Sequence, residues 1–279
     1  MFGFFLLLFA LQPPVPSSVS ELPVAIDAIL QAGERVKEIY SSDFAVIIKD
    51  DTSPITQADL ESSAIITAAL QTTGIPILSE EESDDKARLC SSKVWIVDPL
   101  DGTTDFVNRT GEFTIMIGLV EDHVPIIGLI YRPTTGELYF AEKGKGAFCF
   151  DQEWRQIRVR KNTVLENCLA LVSRFHLSDK EKRILSYLGI TKSCSWGSSL
   201  KVTQISSGGA DIYFTMTNKM KQWDTCASYC IIHEAGGRMT DSCGGPLLYN
   251  TDQVNHEHGL LVTNGFVHDR VAEAIAVQY

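Results

Sequence analysis

Apolar residues recur at Ile26, Ile29, Leu30, Val36 and Ile39 within residues 22–40, the spacing of a helix with one buried face. A polar segment with Lys49, Asp50, Asp51 and Pro54 follows, and Thr56-Gln57-Ala58-Asp59 opens a second helix that runs to about Thr72 and stops at Gly74 and Pro76. Residues 75–78 form a short apolar strand that enters the acidic run Glu80-Glu81-Glu82-Ser83-Asp84-Asp85. Most of those acids read as a solvated loop. A buried strand over residues 94–97 then stops abruptly at Asp98-Pro99-Leu100-Asp101-Gly102-Thr103.

Four further apolar runs, at 113–120, 126–131, 138–141 and 146–150, are separated by turns and predict an antiparallel meander. The rhythm changes after a soft boundary at 152–161. Strands are expected at 168–172, near Ser193, and at 212–216, 237–240 and 259–262. Helices are expected at 178–188, 199–206, 223–235 and 268–277. Strands alternating with helices indicate an α/β half. The chain therefore divides into an apolar, proline-rich tail over 1–21, expected to be disordered, an N-terminal half over 22–155 and a C-terminal half over 156–279.

With 279 residues, 44% of them hydrophobic, the chain builds a substantial core. A formal charge of −11 argues against nucleic-acid polymers and anionic membranes as partners, since both demand a basic face. Anionic small molecules stay open if bound cations reverse the local potential. Seven scattered cysteines without a CxxC pair read as reduced thiols, mostly core filler, in a cytoplasmic protein. Residues 2–11 are almost wholly apolar, yet too short to span a bilayer and without a lysine or arginine before Arg35, so no stable membrane insertion is expected.

The aspartate turn draws attention because ionised carboxylates at the end of a buried strand are costly unless cations or hydrogen bonds compensate them. Pro99 fixes the turn so that Asp98 and Asp101 can point into one place, with the Leu100 carbonyl between them. Such hard oxygen ligands suit magnesium, manganese or calcium rather than zinc. The alternative is an acidic turn that merely ends a strand. Glu80 stands at the end of its own strand as Asp98 does, and two neighbouring strands would deliver both carboxylates to one cluster. Asp59 beside Thr56, and Asp224 at the start of an apolar helix, each also fit plain helix capping. Cys226 and Cys230 share a helix face and read as packing, not as a metal pair.

Taken together, Asp59 in T-x-x-D, Glu80 in L-S-E-E, the run W-I-V-D-P-L-D-G-T-T-D-F and W-D-T-C-A resemble the magnesium-dependent, lithium-sensitive phosphomonoesterase superfamily of inositol monophosphatase and fructose-1,6-bisphosphatase. More narrowly the chain resembles the CysQ-type 3′(2′),5′-bisphosphate nucleotidases, and the resemblance covers nearly everything after Leu22. It implies an α+β/α/β fold: layered α-β-α-β-α sugar-phosphatase architecture with an antiparallel N-terminal sheet and a smaller C-terminal α/β half. It also implies two or three Mg2+ ions, with Mn2+ as a substitute and Li+ as an inhibitor. Glu80, Asp98 and the Leu100 carbonyl would hold one ion; Asp98, Asp101 and Asp224 would hold a second. Asp59 and Thr103 match the pair that orients and deprotonates the attacking water, and Gly102 with Thr103 would offer backbone N–H groups to phosphate.

Ser173-Arg174-Phe175-His176 and Gly197-Ser198-Ser199-Leu200-Lys201 resemble the two segments that contact nucleotide and second phosphate in that branch. Ser173, His176, Ser198 and Lys201 are thus expected at the substrate. Phe175 departs from the branch, which more commonly has a small polar residue there. The implied reaction, which belongs to sulfur metabolism, converts adenosine 3′,5′-bisphosphate to AMP and phosphate, in a monomer or homodimer. The runner-up is an inositol monophosphatase or broad sugar phosphatase; a non-catalytic protein that binds cations or a partner is the reading from another class. The intact Asp59 and Thr103 argue against the last, since metal binding alone needs neither.

Overall fold

The computed structural model describes residues 13–49, 53–175 and 177–278. Its first sheet has seven strands in sequential order: β3 (Ile77–Ser79), β4 (Lys93–Asp101), β5 (Thr114–Glu121), β6 (Val124–Arg132), β7 (Glu137–Glu142), β8 (Gly146–Asp151) and β9 (Glu153–Ile157). All pairs are antiparallel except β3 and β4, which run parallel. The expected meander is present, and it extends one strand past Gln152, where the boundary was expected. The second sheet holds five strands in the order β11-β10-β12-β14-β13: β10 (Leu169–Ser173), β11 (Lys192–Trp196), β12 (Ile212–Thr215), β13 (Arg238–Thr240) and β14 (Leu260–Thr263). Strands β11, β10 and β12 are parallel, while β14 pairs antiparallel with both its neighbours, so this sheet is mixed.

Helices fill the remaining layers. On one face of the large sheet lie α1 (Leu22–Tyr40) and α2 (Gln57–Gln71), which bury Leu22, Ile29, Val36 and Ile66 against Trp95, Val97, Ile115 and Ile117. The alternate residues Val94 and Ile96 face the opposite core with Cys226 and Ile232 of α6 (Gln222–Glu234), where Leu171, Tyr213 and Val262 of the second sheet also meet them. A strand covered on both faces loses its polar alternation. That is why β4 reads as a continuous apolar run.

The second sheet is closed on its far face by α4 (Asp179–Tyr187) and α7 (His268–Val277), through Ile184, Leu185, Val271 and Ile275. Two short helices complete the set: α3 (Thr103–Val107), which the sequence reading did not anticipate, and α5 (Leu200–Ser206) beside α6. The result is the expected α-β-α-β-α layering. A small hairpin of β1 (Val46–Ile48) and β2 (Pro54–Thr56) occupies what read as a polar segment.

Part of the expected disordered tail is fastened instead. The backbone of Ser18 donates to Glu142 Oε1 at 2.9 Å, Lys145 Nζ donates to Pro16 O at 2.5 Å and Val19 is buried, so this stretch gains apolar and hydrogen-bonded contact with the sheet. Residues 1–12 lie outside the described residues. No helix among the described residues is long and apolar enough to cross a membrane. All seven cysteines are free; Cys149, Cys168, Cys226 and Cys230 are buried, and Cys90, Cys194 and Cys243 are exposed.

Candidate active site

Parallel pairing of β3 with β4 sets Ser79 opposite Val97, so Glu80 emerges beside Asp98 at the same end of the sheet. Asp98 caps its own turn, with Oδ1 accepting the Leu100 N–H at 3.1 Å. Asp224 lies in the first turn of α6, where Oδ2 accepts the Lys221 N–H at 2.7 Å. Carboxylate oxygens of Glu80, Asp98 and Asp224 all fall within 4.8 Å of one another. Burial and the neighbouring acids hold Asp98 and Asp224 well above the usual carboxylate range. Burial likewise pushes Glu80 up to about 7, against the opposing charge of Lys49 at 3.3 Å. Three packed carboxylates cannot all ionise without a compensating cation. Their all-oxygen donor set and shared focus fit a hard divalent ion such as magnesium.

The second feature is a hydrogen-bonded pair, Asp59 with Thr103. Asp59 is only 1% exposed, and both its oxygens are assigned. Oδ2 accepts the Thr56 N–H and hydroxyl, each at 2.7 Å, while Oδ1 accepts the Thr103 hydroxyl at 2.9 Å. The cap read from the sequence is real, and it also fixes the carboxylate that meets Thr103. Burial raises the Asp59 pKa, offset in part by the Thr56 and Thr103 bonds. Thr103 Oγ1 lies 3.2 Å from the Leu100 carbonyl as well, but a hydroxyl has one proton to give.

Asp98 and Asp101 part company at a bulge that shifts the β4–β5 register between them. Asp101 Oδ2 accepts from the Ser198 hydroxyl at 2.7 Å and from the Ser199 N–H, with Thr114 Oγ1 at 3.4 Å. Its Oδ1 has no hydrogen-bond partner among the described residues, and Asp101 is not one of the three grouped carboxylates. Ser198, expected at the substrate, is turned onto Asp101 and carries a left-handed φ of 55°. Gly102, at φ 92°, starts α3 and brings Thr103 under Asp59.

These groups share a cavity of about 540 Å³ whose wall includes Glu80, Asp98, Asp101, Thr103, Lys201 and Asp224. Leu100, Gly102, Ser173 and Ser198 line it too, while Asp59 lies behind Thr103 and does not reach the wall. His176 lies outside the described residues. Lys201 is almost fully buried; its Nζ donates to the Ser198 carbonyl at 2.7 Å and the Trp196 carbonyl at 3.4 Å, which leaves one N–H.

A model of the inositol monophosphatase family matches residues 19–276. The chain belongs to the inositol monophosphatase family. Within this family it is 34% identical over 254 residues to the 3′(2′),5′-bisphosphate nucleotidase CysQ of Aggregatibacter actinomycetemcomitans, covering 88% of this chain and 94% of that protein. With CysQ of Escherichia coli strain K12 it shares 35% identity over 229 residues, 78% of this chain and 89% of that one. The crystal structure of CysQ from Bacteroides thetaiotaomicron, a bacterial family member, matches with a TM-score of 0.75 at 33% identity, over 86% of this chain and 95% of that one. Family and fold expectations both hold.

Several site residues of this family member escaped the sequence reading. Lys49 bridges Glu80 and Glu81, at 3.3 and 2.7 Å, from a segment that read as a polar connection. The acidic run is less solvated than expected: Glu82 takes the Ser63 hydroxyl at 3.1 Å, and Asp84 pairs with the buried Arg88 at 2.8 Å. Tyr213 lines the cavity and is 6% exposed, and its hydroxyl has no hydrogen-bond partner among the described residues. Asp105 and Glu112 grip Arg174 at 3.1 and 2.8 Å. Only Asp105, two residues past Thr103 within the motif run, carried a sequence signal.

Proposed function

We propose that this phosphatase hydrolyses the 3′-phosphate of adenosine 3′,5′-bisphosphate, releasing AMP and phosphate. The observation that carries the reading is the meeting, in one cavity, of three cation-demanding carboxylates with Thr103, whose hydroxyl is held from behind by the buried Asp59. The nucleotide follows from the relatives, since CysQ proteins are named 3′(2′),5′-bisphosphate nucleotidases. Glu80, Asp98, Asp224, the Leu100 carbonyl and Asp101 would hold two or three Mg2+ ions, replaceable by Mn2+ and antagonised by Li+. Bound there, magnesium neutralises phosphoryl charge and makes water more acidic.

The chain's own residues do the rest. Asp59 Oδ1 receives the Thr103 proton while Thr103 Oγ1 takes one from the attacking water, so the hydroxyl relays charge without becoming an alkoxide. Burial makes Asp59 a better base than a surface aspartate. Thr56 keeps the carboxylate in one rotamer throughout. Gly102 and Thr103 open α3, where N–H groups lack intrahelical acceptors and suit phosphate oxygens. Ser173, Ser198 and the remaining N–H of Lys201 stand in the wall that meets the nucleotide, and His176, outside the described residues, is assigned there by its motif alone. The free cysteines fit a reducing, cytoplasmic compartment.

Turnover of adenosine 3′,5′-bisphosphate against inositol 1-phosphate, in magnesium and then with added lithium, tests the reading. Preference for the inositol ester overturns it.

A further inference from the structure

Glu112 lies in the connection between α3 and β5 and does not line the cavity. Its carboxylate nevertheless joins the two segments expected at the nucleotide. Oε2 accepts the Gly197 N–H at 2.6 Å, and Oε1 accepts Arg174 Nη2 at 2.8 Å. Ser173 and Phe175, on either side of Arg174, line the cavity, as do Gly197, Ser198 and Lys201. One carboxylate thereby ties the two segments together just where they leave the paired ends of β10 and β11, Ser173 lying opposite Trp196.

Further contacts make the span rigid. Arg174 Nη1 donates to Asp105 Oδ1 at 3.1 Å, and the Thr110 hydroxyl fixes the same oxygen at 2.7 Å. The Asp105 carboxylate lies flat against Gly197, where an added Cβ would stand 2.3 Å from Oδ2. Ser198 and Ser199, next in sequence, bind Asp101 beside the carboxylate cluster. Exposed ion pairs contribute little, but Glu112 is only 16% exposed and one of its bonds goes to a backbone N–H, which cannot swing away.

We infer that Glu112 is a positioning residue: it holds the 173–175 and 197–201 segments at the separation that accepts a substrate with a second anionic group. The inference rests on the nucleotide reading above. Arg174 acts through Glu112 and Asp105, its guanidinium being committed to both carboxylates. The reacting phosphate would be held at the Asp98 turn, outside the clamp.

Steady-state kinetics of the full chain in magnesium, with Glu112→Gln, Glu112→Ala, Arg174→Ala and the Glu112→Ala/Arg174→Ala double variant, tests this. KM for adenosine 3′,5′-bisphosphate is expected to rise about tenfold in Glu112→Ala and less in the isosteric Glu112→Gln, with kcat within about twofold. KM for inositol 1-phosphate is expected to change by less than about twofold. The double variant should be no worse than the poorer single one, because both break the same clamp. Equal losses on both substrates, an unchanged KM ratio or multiplying effects each overturn it. Hydrogen exchange of the Gly197 amide is the readout free of substrate: it should accelerate in Glu112→Ala, and unchanged exchange refutes the clamp. Should the parent enzyme prefer inositol 1-phosphate while that exchange accelerates, the nucleotide reading fails and the clamp stands.

Discussion

Replacing Glu80 by glutamine should make the metal-free protein more stable and the magnesium-loaded protein less so. Burial lifts the Glu80 carboxyl from its ordinary 4.5 to about 7. Ionising it in the folded chain therefore costs about 3 kcal/mol more than in the unfolded one. With 31% of the side chain exposed, screening reduces this to about 2 kcal/mol. The sign follows from the raised folded value: the stability is present below pH 4.5 and lost as pH rises through 7. Glutamine cannot ionise, so in chelator the Glu80→Gln variant should match the parent near pH 4.5 and exceed it by about 2 kcal/mol at pH 8, a melting temperature about 4 °C higher. Lys49 keeps its partner Glu81 at 2.7 Å, so no buried cation is stranded. Magnesium at about a hundred times its Kd should add about 2.7 kcal/mol to the parent and much less to the variant, which reverses their order. Differential scanning fluorimetry at pH 8, with EDTA and with magnesium, reads both halves. A variant that melts below the parent in EDTA, or that gains as much from magnesium, refutes the cation-centred reading of the cluster.

Three other outcomes follow from the same geometry. Asp59→Asn should lower kcat by about 10²–10⁴-fold while the magnesium-induced rise in melting temperature persists, and Thr103→Ser should retain most activity; full turnover by Asp59→Asn would remove the proton path. Gly197→Ala should cost about 2–3 kcal/mol in urea denaturation, because its Cβ would sit 2.3 Å from Asp105 Oδ2; an unshifted midpoint would contradict the packing. Burial pushes His256 and His268 down to about 4, so each contributes stability that is complete above pH 6.5 and lost as pH falls toward 4, up to about 3 kcal/mol apiece. His268→Asn should therefore flatten the fall in urea midpoint between pH 7 and 4.5, and an identical slope in both proteins would refute it.

The parts of the site legible in the sequence are those that a single local rule governs. Apolar runs ending in acid placed Glu80 and Asp98 on adjacent strand ends, and the parallel β3–β4 register delivers them there. Periodicity gave α1 and start and stop signals gave α2 to within a residue or so, and α6 and α7 fall equally close to their expected bounds. Strand β9 was missed because Glu153-Trp154-Arg155-Gln156 presents mostly polar residues at an exposed sheet edge, where packing imposes little pattern. The β1–β2 hairpin was missed for the opposite reason: Val46, Ile47 and Ile48 are apolar but exposed, so their hydrophobicity marks no core.

Asp101 shows most sharply what spacing cannot specify. Two acids three apart, with proline between, suggest carboxylates aimed at one point, but charges crowded into one buried place repel and each costs more to ionise. The bulge relieves that cost by handing Asp101 Oδ2 to Ser198, Ser199 and Thr114, donors that lie 13 or more residues away in sequence. The same exchange ties two functions together. Ser198 belongs to the wall expected to meet the nucleotide, and Asp101 belongs to the turn expected to hold metal, so a ligand that moves one must strain the other. Lys201, buried and holding the carbonyls of Trp196 and Ser198, keeps that coupling stiff from below. On the proposed reading, discrimination between phosphate esters would depend on how firmly the wall is fastened to the turn, as well as on which cations face the cavity.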